Sequence, residues 1–255
     1  MELVKNEAIT ETGLHISMPV PGIIRVTDGN HRDSYMVSAR LRKSAPSVEG
    51  GRLSWGRIAI EPENHMSLYL DGRLLCADYA GQRVQQVELT TEEQELLIAE
   101  GHSINNAEGD WAVEVLKVLN PDAAIYGLGD KTGYLNKRHY AYENWCTDDP
   151  APHVDCFKSL YKSINFFIIA GSSGCCGILA DNTFRTAFDF GKECDDYIRF
   201  AHADGALDYY MIPGRDIKEV LRKYVTLTGA SRLQQKWIYG YHQSHWGYLS
   251  ADEIK

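Results

Sequence analysis

The sequence predicts a mainly β chain built as a β-sandwich. Three observations carry that prediction: apolar residues come in short runs bounded by turn formers, such runs recur along nearly the whole chain, and helical spacing is confined to a few stretches. A chain of 255 residues is long enough for one large all-β domain or two small ones, either with a sizeable core. The 15 Tyr and 5 Trp suit half-buried sheet surfaces and flat ligands. A net charge of −9 argues against general affinity for nucleic acid or anionic lipid, which relies on clustered Lys and Arg.

Taken in order, the runs Ile23-Ile24, Tyr35-Met36-Val37 and Ile58-Ala59-Ile60 are set apart by Pro19, Pro21, Asp28-Gly29-Asn30 and Gly50-Gly51. They read as strands and turns. Two apolar runs, Met66-Ser67-Leu68-Tyr69-Leu70 and Arg73-Leu74-Leu75-Cys76, flank Asp71-Gly72. That is a hairpin, because Asp-Gly tolerates the positive φ of a two-residue turn. Thr90 and Glu93 have capping-box spacing, Leu96, Leu97 and Ala99 follow, and Gly101 stands where a helix stops, so a short helix is expected over 90–100. Residues 111–119 alternate Trp111, Val113 and Val115 against Ala112, Glu114 and Leu116, a strand ended by Asn120-Pro121. Five more strand candidates follow at 164–170, 176–180, 184–190, 197–203 and 207–212.

Beyond Pro213-Gly214 the pattern changes. Ile217, Val220, Leu221, Tyr224 and Val225 fall at three-and-four spacing, an amphipathic helix closed near Gly229. Trp237-Ile238-Tyr239-Gly240-Tyr241 reads as a buried strand, and Ser250 with Glu253 as a capping box that starts a helix. One helical turn does not recover its nucleation cost, so the expectation is a chain truncated inside a β-α unit. Such a chain would expose Trp237, Ile238 and Tyr241 and self-associate as a homo-oligomer.

The six cysteines Cys76, Cys146, Cys156, Cys175, Cys176 and Cys194 include no CxxC pair, and the N-terminus lacks the apolar core of a signal peptide. The longest apolar run, 166–170, is too short to span a bilayer. A cytoplasmic location without membrane or nucleic-acid partners is expected, with no cofactor and no metal.

Among candidate motifs, Gly127-Leu128-Gly129-Asp130-Lys131-Thr132-Gly133 invites a nucleotide-binding reading, but its spacing fits neither a dinucleotide fingerprint nor a P-loop and no helix follows. His242 and His245 would point to opposite faces of a strand and have no third ligand nearby. Cys175-Cys176 reads as small buried strand residues. Asp148-Asp149-Pro150 has two readings. It is either an acidic turn, or a carboxylate at a loop tip that accepts hydrogen bonds from sugar hydroxyls while Trp145, Tyr140 and Tyr142 supply a flat apolar surface.

Tyr126-Gly127-Leu128-Gly129-Asp130, Asn136-Lys137-Arg138, residues 144–150 and Ser159-Leu160-Tyr161-Lys162-Ser163 together resemble the N-terminal domain of family 31 glycoside hydrolases, the α-glucosidase and α-xylosidase group. Residues 184–191 and 239–248 extend the resemblance. It implies a galactose-mutarotase-like β-sandwich over 1–213, a linking helix and linker over 214–236, and the first strand of a (β/α)8 catalytic barrel within 237–255. It also implies that a sandwich loop reaches over the barrel mouth with an acidic side chain, for which Asp148 is the matching position and Asp149 a second candidate. Trp246 is the third substrate-contact candidate. Where the usual pattern after Gln243-Ser244 has Arg, this chain has His245. The implied activity is that of a retaining α-glycosidase acting on α-linked sugars. Its nucleophile and acid/base would lie on later barrel strands, about 5 Å apart, so no catalytic residue is assigned in this chain and the chain alone is expected to be inactive. A stand-alone carbohydrate-binding module is the alternative.

Overall fold

The structure is a computed structural model that describes residues 1–30, 36–39, 42–84, 89–102, 110–148, 151–242 and 250–252. In chain order the strands are β1 (Glu2–Val4), β2 (Glu7–Ile9), β3 (His15–Val20), β4 (Ile23–Thr27), β5 (Ser47–Glu49), β6 (Arg52–Trp55), β7 (Ile58–Glu61), β8 (Ser67–Leu70) and β9 (Arg73–Ala77). Helix α1 (Thr91–Ala99) intervenes. Then come β10 (Val113–Val118), β11 (Ala124–Gly129), β12 (Ala141–Asn144), β13 (Ser163–Gly171), β14 (Gly174–Ala180), β15 (Thr186–Phe190), β16 (Tyr197–His202), β17 (Asp208–Gly214) and helix α2 (Ile217–Thr228).

These strands form three sheets: eight strands in the order β1-β2-β3-β4-β17-β14-β13-β11, four in the order β10-β16-β15-β12, and five in the order β5-β6-β7-β8-β9. The main core takes Val26, Phe167, Ile178 and Met211 from the large sheet, Phe188 and Phe200 from the four-stranded sheet, and Leu53 and Leu68 from the five-stranded sheet. The two smaller sheets therefore share the layer opposite the large one. A bridge between Asp78 and Lys117 joins them, and the buried Lys117 ammonium pairs with Asp78 and donates to the Tyr209 hydroxyl at 3.0 Å. The result is the sandwich that the apolar runs predict.

The other face of the large sheet is covered too. Phe166, Ile168, Leu179, Tyr210 and Ile212 point away from the main core and pack with Val220 and Leu227 of α2 in a second cluster. With both faces buried, β13, β14 and β17 read as unbroken apolar runs rather than alternating ones. Helix α2 starts at Asp216, whose side chain accepts from Glu219 N at 2.8 Å, and ends at Gly229 with φ 94°. Gly177 lets it approach: a Cβ there would come 2.7 Å from Val220. The stretch expected as a linking helix is thus docked against the sandwich.

The local signals hold. Asp71 and Gly72 both have positive φ, at 50° and 76°, in the β8–β9 turn. Thr90 and Glu93 form the reciprocal capping box of α1, whose C-terminus is closed by His102 N donating to Leu97 O at 2.9 Å and Gly101 N to Ile98 O at 3.0 Å. Two expectations fail. Met36 and Val37, read with Tyr35 as a strand, form none: Met36 N donates to Asp181 Oδ1 at 3.0 Å, and Ser38 N and Ala39 N donate to Leu227 O at 3.1 Å, so this backbone is used on a side chain and on α2 rather than on a strand partner. Lys236–Tyr239 is a 3-10 helix and not a strand, with Trp237 and Tyr241 exposed. A strand must pair its backbone groups with a neighbour, and no described strand runs beside this segment. Among the described residues no helix is long and apolar enough to cross a membrane.

Candidate functional site

The glycine-rich turn at the end of β11 is a packing device. Gly127, Leu128 and Gly129 have φ of 134°, 74° and 86° at a bulge in the β11–β13 ladder, and the bulge turns the Leu128 side chain into the core. A Cβ on Gly127 would lie 2.4 Å from Phe166 O, and one on Gly129 2.6 Å from Lys162 O. Only glycine allows that approach, and no helix opens after it. The phosphate-cradle reading is set aside on these grounds. Asn136 then ties the following loop back to β11: its Oδ1 accepts from Ile125 N at 2.9 Å, and Lys137 N donates to Ile125 O at 2.7 Å.

From the end of β12 the chain leaves the sheet at Trp145 and returns by residue 160, running beside itself. Glu143 N donates to Lys158 O at 2.9 Å and Thr147 N to Leu160 O at 3.3 Å. The Ser159 hydroxyl donates to Trp145 O, and Thr147 Oγ1 lies 3.0 Å from both Trp145 O and Ser159 Oγ. Farther along, His102 Nε2 is 2.7 Å from Pro152 O, and the rings of His102, Phe157 and His153 stack with centroids 4.4 and 5.3 Å apart in succession. Thr132 Oγ1 sits 2.9 Å from the carbonyls of Asp155 and Phe157. Asp148 is an exposed residue between these two sets of anchors.

A buried polar chain starts at Asn144, the last residue of β12. Asn144 Nδ2 donates to Asn165 Oδ1 at 2.7 Å, and Asn165 Nδ2 donates to Asn182 O at 2.7 Å. The Thr186 hydroxyl reaches Phe184 O at 3.0 Å and His202 Nδ1 at 2.9 Å. Its single proton is used on the carbonyl, so Nδ1 of His202 donates and Nε2 is the bare nitrogen. That Nε2 has no partner among the described residues, and burial lowers the His202 pKa to about 4. On the loop between β11 and β12, the Lys131 ammonium is likewise buried and has no partner among the described residues; burial lowers it to about 8 against the pull of Asp130, Cys146 and Glu143.

Of the expected site residues, Asp148 is exposed at the loop and Trp145, 57% exposed, lies beside it in the chain. Asp149, Trp246 and His245 lie outside the described residues. Tyr142 is a correction: it is 1% exposed, its ring in the core and its hydroxyl donating to Thr132 O at 2.8 Å, so it offers no surface to a sugar. Tyr140 stacks on it, ring centroids 5.7 Å apart, and is half-buried. His242 is exposed with Nε2 2.6 Å from Ile238 O. Among the described residues no group of three His, Cys, Asp or Glu could hold a metal ion. Cys175 and Cys176 are buried in β14, where burial raises the Cys175 thiol. Lys131 and the His202 network escaped the sequence reading, since an orphaned buried group has no sequence signature.

Residues 13–189 match the family model described as the glycosyl hydrolase 31 N-terminal galactose mutarotase-like domain. Among curated relatives, alpha-glucosidase 2 of Bacillus thermoamyloliquefaciens is 38% identical over 160 residues, 63% of this chain and 20% of the relative. Alpha-xylosidase XylQ of Lactiplantibacillus pentosus is 34% identical over 119 residues, 47% of this chain and 15% of the relative. A family 31 dextranase of Flavobacterium johnsoniae, solved with isomaltotriose, superposes with a TM-score of 0.69 at 26% identity, covering 89% of this chain and 27% of the dextranase. The matched region thus spans 20% or less of these two curated relatives.

Proposed function

The chain belongs to glycoside hydrolase family 31, whose N-terminal galactose mutarotase-like domain it carries, and from that premise we propose that it serves a retaining α-glycosidase by supplying one wall of the sugar site. Hydrolysis at an anomeric centre needs two carboxylates flanking the scissile bond, one as nucleophile and one as acid/base. In this proposal a catalytic barrel provides both, with residues 237–255 leading into it and Trp246 near the sugar. The sandwich provides recognition through Asp148.

The observation that carries the reading is the placement of Asp148. Its carboxylate stands exposed on a loop fastened on one side by Thr147 and Ser159 and on the other by His102. A charged acceptor held this way costs little further ordering when it binds a hydroxyl. The neighbouring Trp145 adds an apolar face for a pyranose ring. The substrate class is a terminal α-linked glucoside or xyloside, after the activities in the names of the curated relatives.

The test joins residues 1–255 to a family 31 barrel and measures hydrolysis of p-nitrophenyl α-glucoside, with residues 1–255 alone as an inactive control. A hydrogen bond to a charged group is worth about 1.5–3 kcal/mol, so Asp148→Asn should lower kcat/KM by about tenfold to a hundredfold, mainly through KM. Asp149→Asn in parallel decides which carboxylate carries the contact. Values within twofold of the parent for both variants would sink the proposal.

A further inference from the structure

A cleft of about 180 Å³ opens between α1 and the start of β12, the edge strand of the four-stranded sheet. Its lining is mixed in chemistry. Leu96 and Tyr140 contribute apolar and aromatic surface, while Glu93, Lys192, Asp155 and His139 contribute charged and polar groups. A pocket for a drug-sized ligand runs to about 300 Å³ or more, so this volume suits one small ring.

The cleft is preorganised. Glu93 is held at both oxygens, Oε1 by Lys192 Nζ at 2.7 Å and Oε2 by Thr90 N at 2.9 Å. Burial by itself would raise its pKa, but those two partners outweigh burial and keep the carboxyl below its usual range, charged and accepting. The Tyr140 ring is held by its neighbours: it stacks on Tyr142, and a Cβ on Gly133 would come 2.5 Å from it. His139 at the rim has φ 67°, a left-handed conformation that costs a non-glycine residue energy. Its backbone N–H donates to Phe190 O at 2.8 Å, and Nδ1 is 3.2 Å from Gly191 O. A rigid ring face beside a fixed carboxylate and ammonium is the arrangement that grips a pyranose, stacking on its C–H face and bonding its hydroxyls.

We propose that this cleft is a carbohydrate site in its own right, taking a single neutral pyranose unit between Tyr140 and the Glu93–Lys192 pair. The choice of sugar as the ligand class rests on the family reading above; the cleft geometry does not depend on Asp148.

The experiment titrates methyl α-glucopyranoside into ¹⁵N-labelled residues 1–255 and follows amide shifts. Saturable shifts are expected at residues 93, 96, 139–141, 155 and 192. Glu93→Gln keeps the capping spacing, since Gln also serves at that position, and should weaken binding about tenfold. Leu96→Trp, at an exposed helix position, should block the cleft without disturbing the core. Asp148→Asn should leave the titration unchanged. Absence of saturable shifts at these residues, or shifts indifferent to both cleft variants, would overturn the proposal. Binding lost in Asp148→Asn alone would also overturn it while leaving the Asp148 contact standing. Cleft binding that persists when Asp148 has no kinetic effect would do the reverse.

Discussion

His202 sits in the sandwich with no exposed surface, and among the described residues its ring has one hydrogen-bond partner; its energetics follow from that. Its pKa falls from 6.5 to about 4 because burial penalises the charged ring. A group whose folded pKa is depressed gives stability that is complete above the unfolded pKa, and that stability is lost as pH falls through the folded value. The His202 contribution is therefore whole above pH 6.5 and disappears toward pH 4. Between pH 7 and 4.5 it should cost about 2 kcal/mol, so urea unfolding of His202→Gln should show a smaller loss over that interval by this amount. Equal losses in both proteins would contradict the assignment. At this scale the sequence disclosed a carboxylate at 148 and aromatic neighbours. It could not disclose that Tyr142 faces the core or that the Lys131 ammonium is buried without a partner among the described residues, because both facts depend on strands and loops distant in sequence.

Among elements, those with short-range signals were legible. The Asp71-Gly72 hairpin, the capping box of α1 and the close of α2 near Gly229 each depend on residues a few positions apart. The segment at 236–239 was misread because an apolar run specifies a strand only where another strand can pair with it. Pairings such as β4 with β17 and β10 with β16 were equally hidden, since the partners are far apart in the chain. Helix α2 belongs to the sandwich energetically: Leu227 is wholly buried in the second core cluster. Leu227→Ala should cost about 2–5 kcal/mol, read as a lower urea midpoint with an unchanged slope. A cost below about 1 kcal/mol would mean that α2 is a loosely attached linker.

For the whole molecule, the three sheets make a two-layer body with α2 on its outer face, and the chain leaving β12 at Trp145 carries Asp148 exposed. The fold class was legible from the strand runs alone. A role for Asp148 was not, since an acidic turn and a sugar ligand look alike in sequence; the proposal rests on its exposure beside the anchored Thr147. That reading makes the sandwich a recognition surface for chemistry done by a barrel. The most direct test is the structure of residues 1–255 joined to a family 31 barrel with glucose bound. The account predicts a carboxylate oxygen of Asp148 within about 3 Å of a sugar hydroxyl. A sugar held by barrel residues alone, with Asp148 turned to solvent, would contradict it.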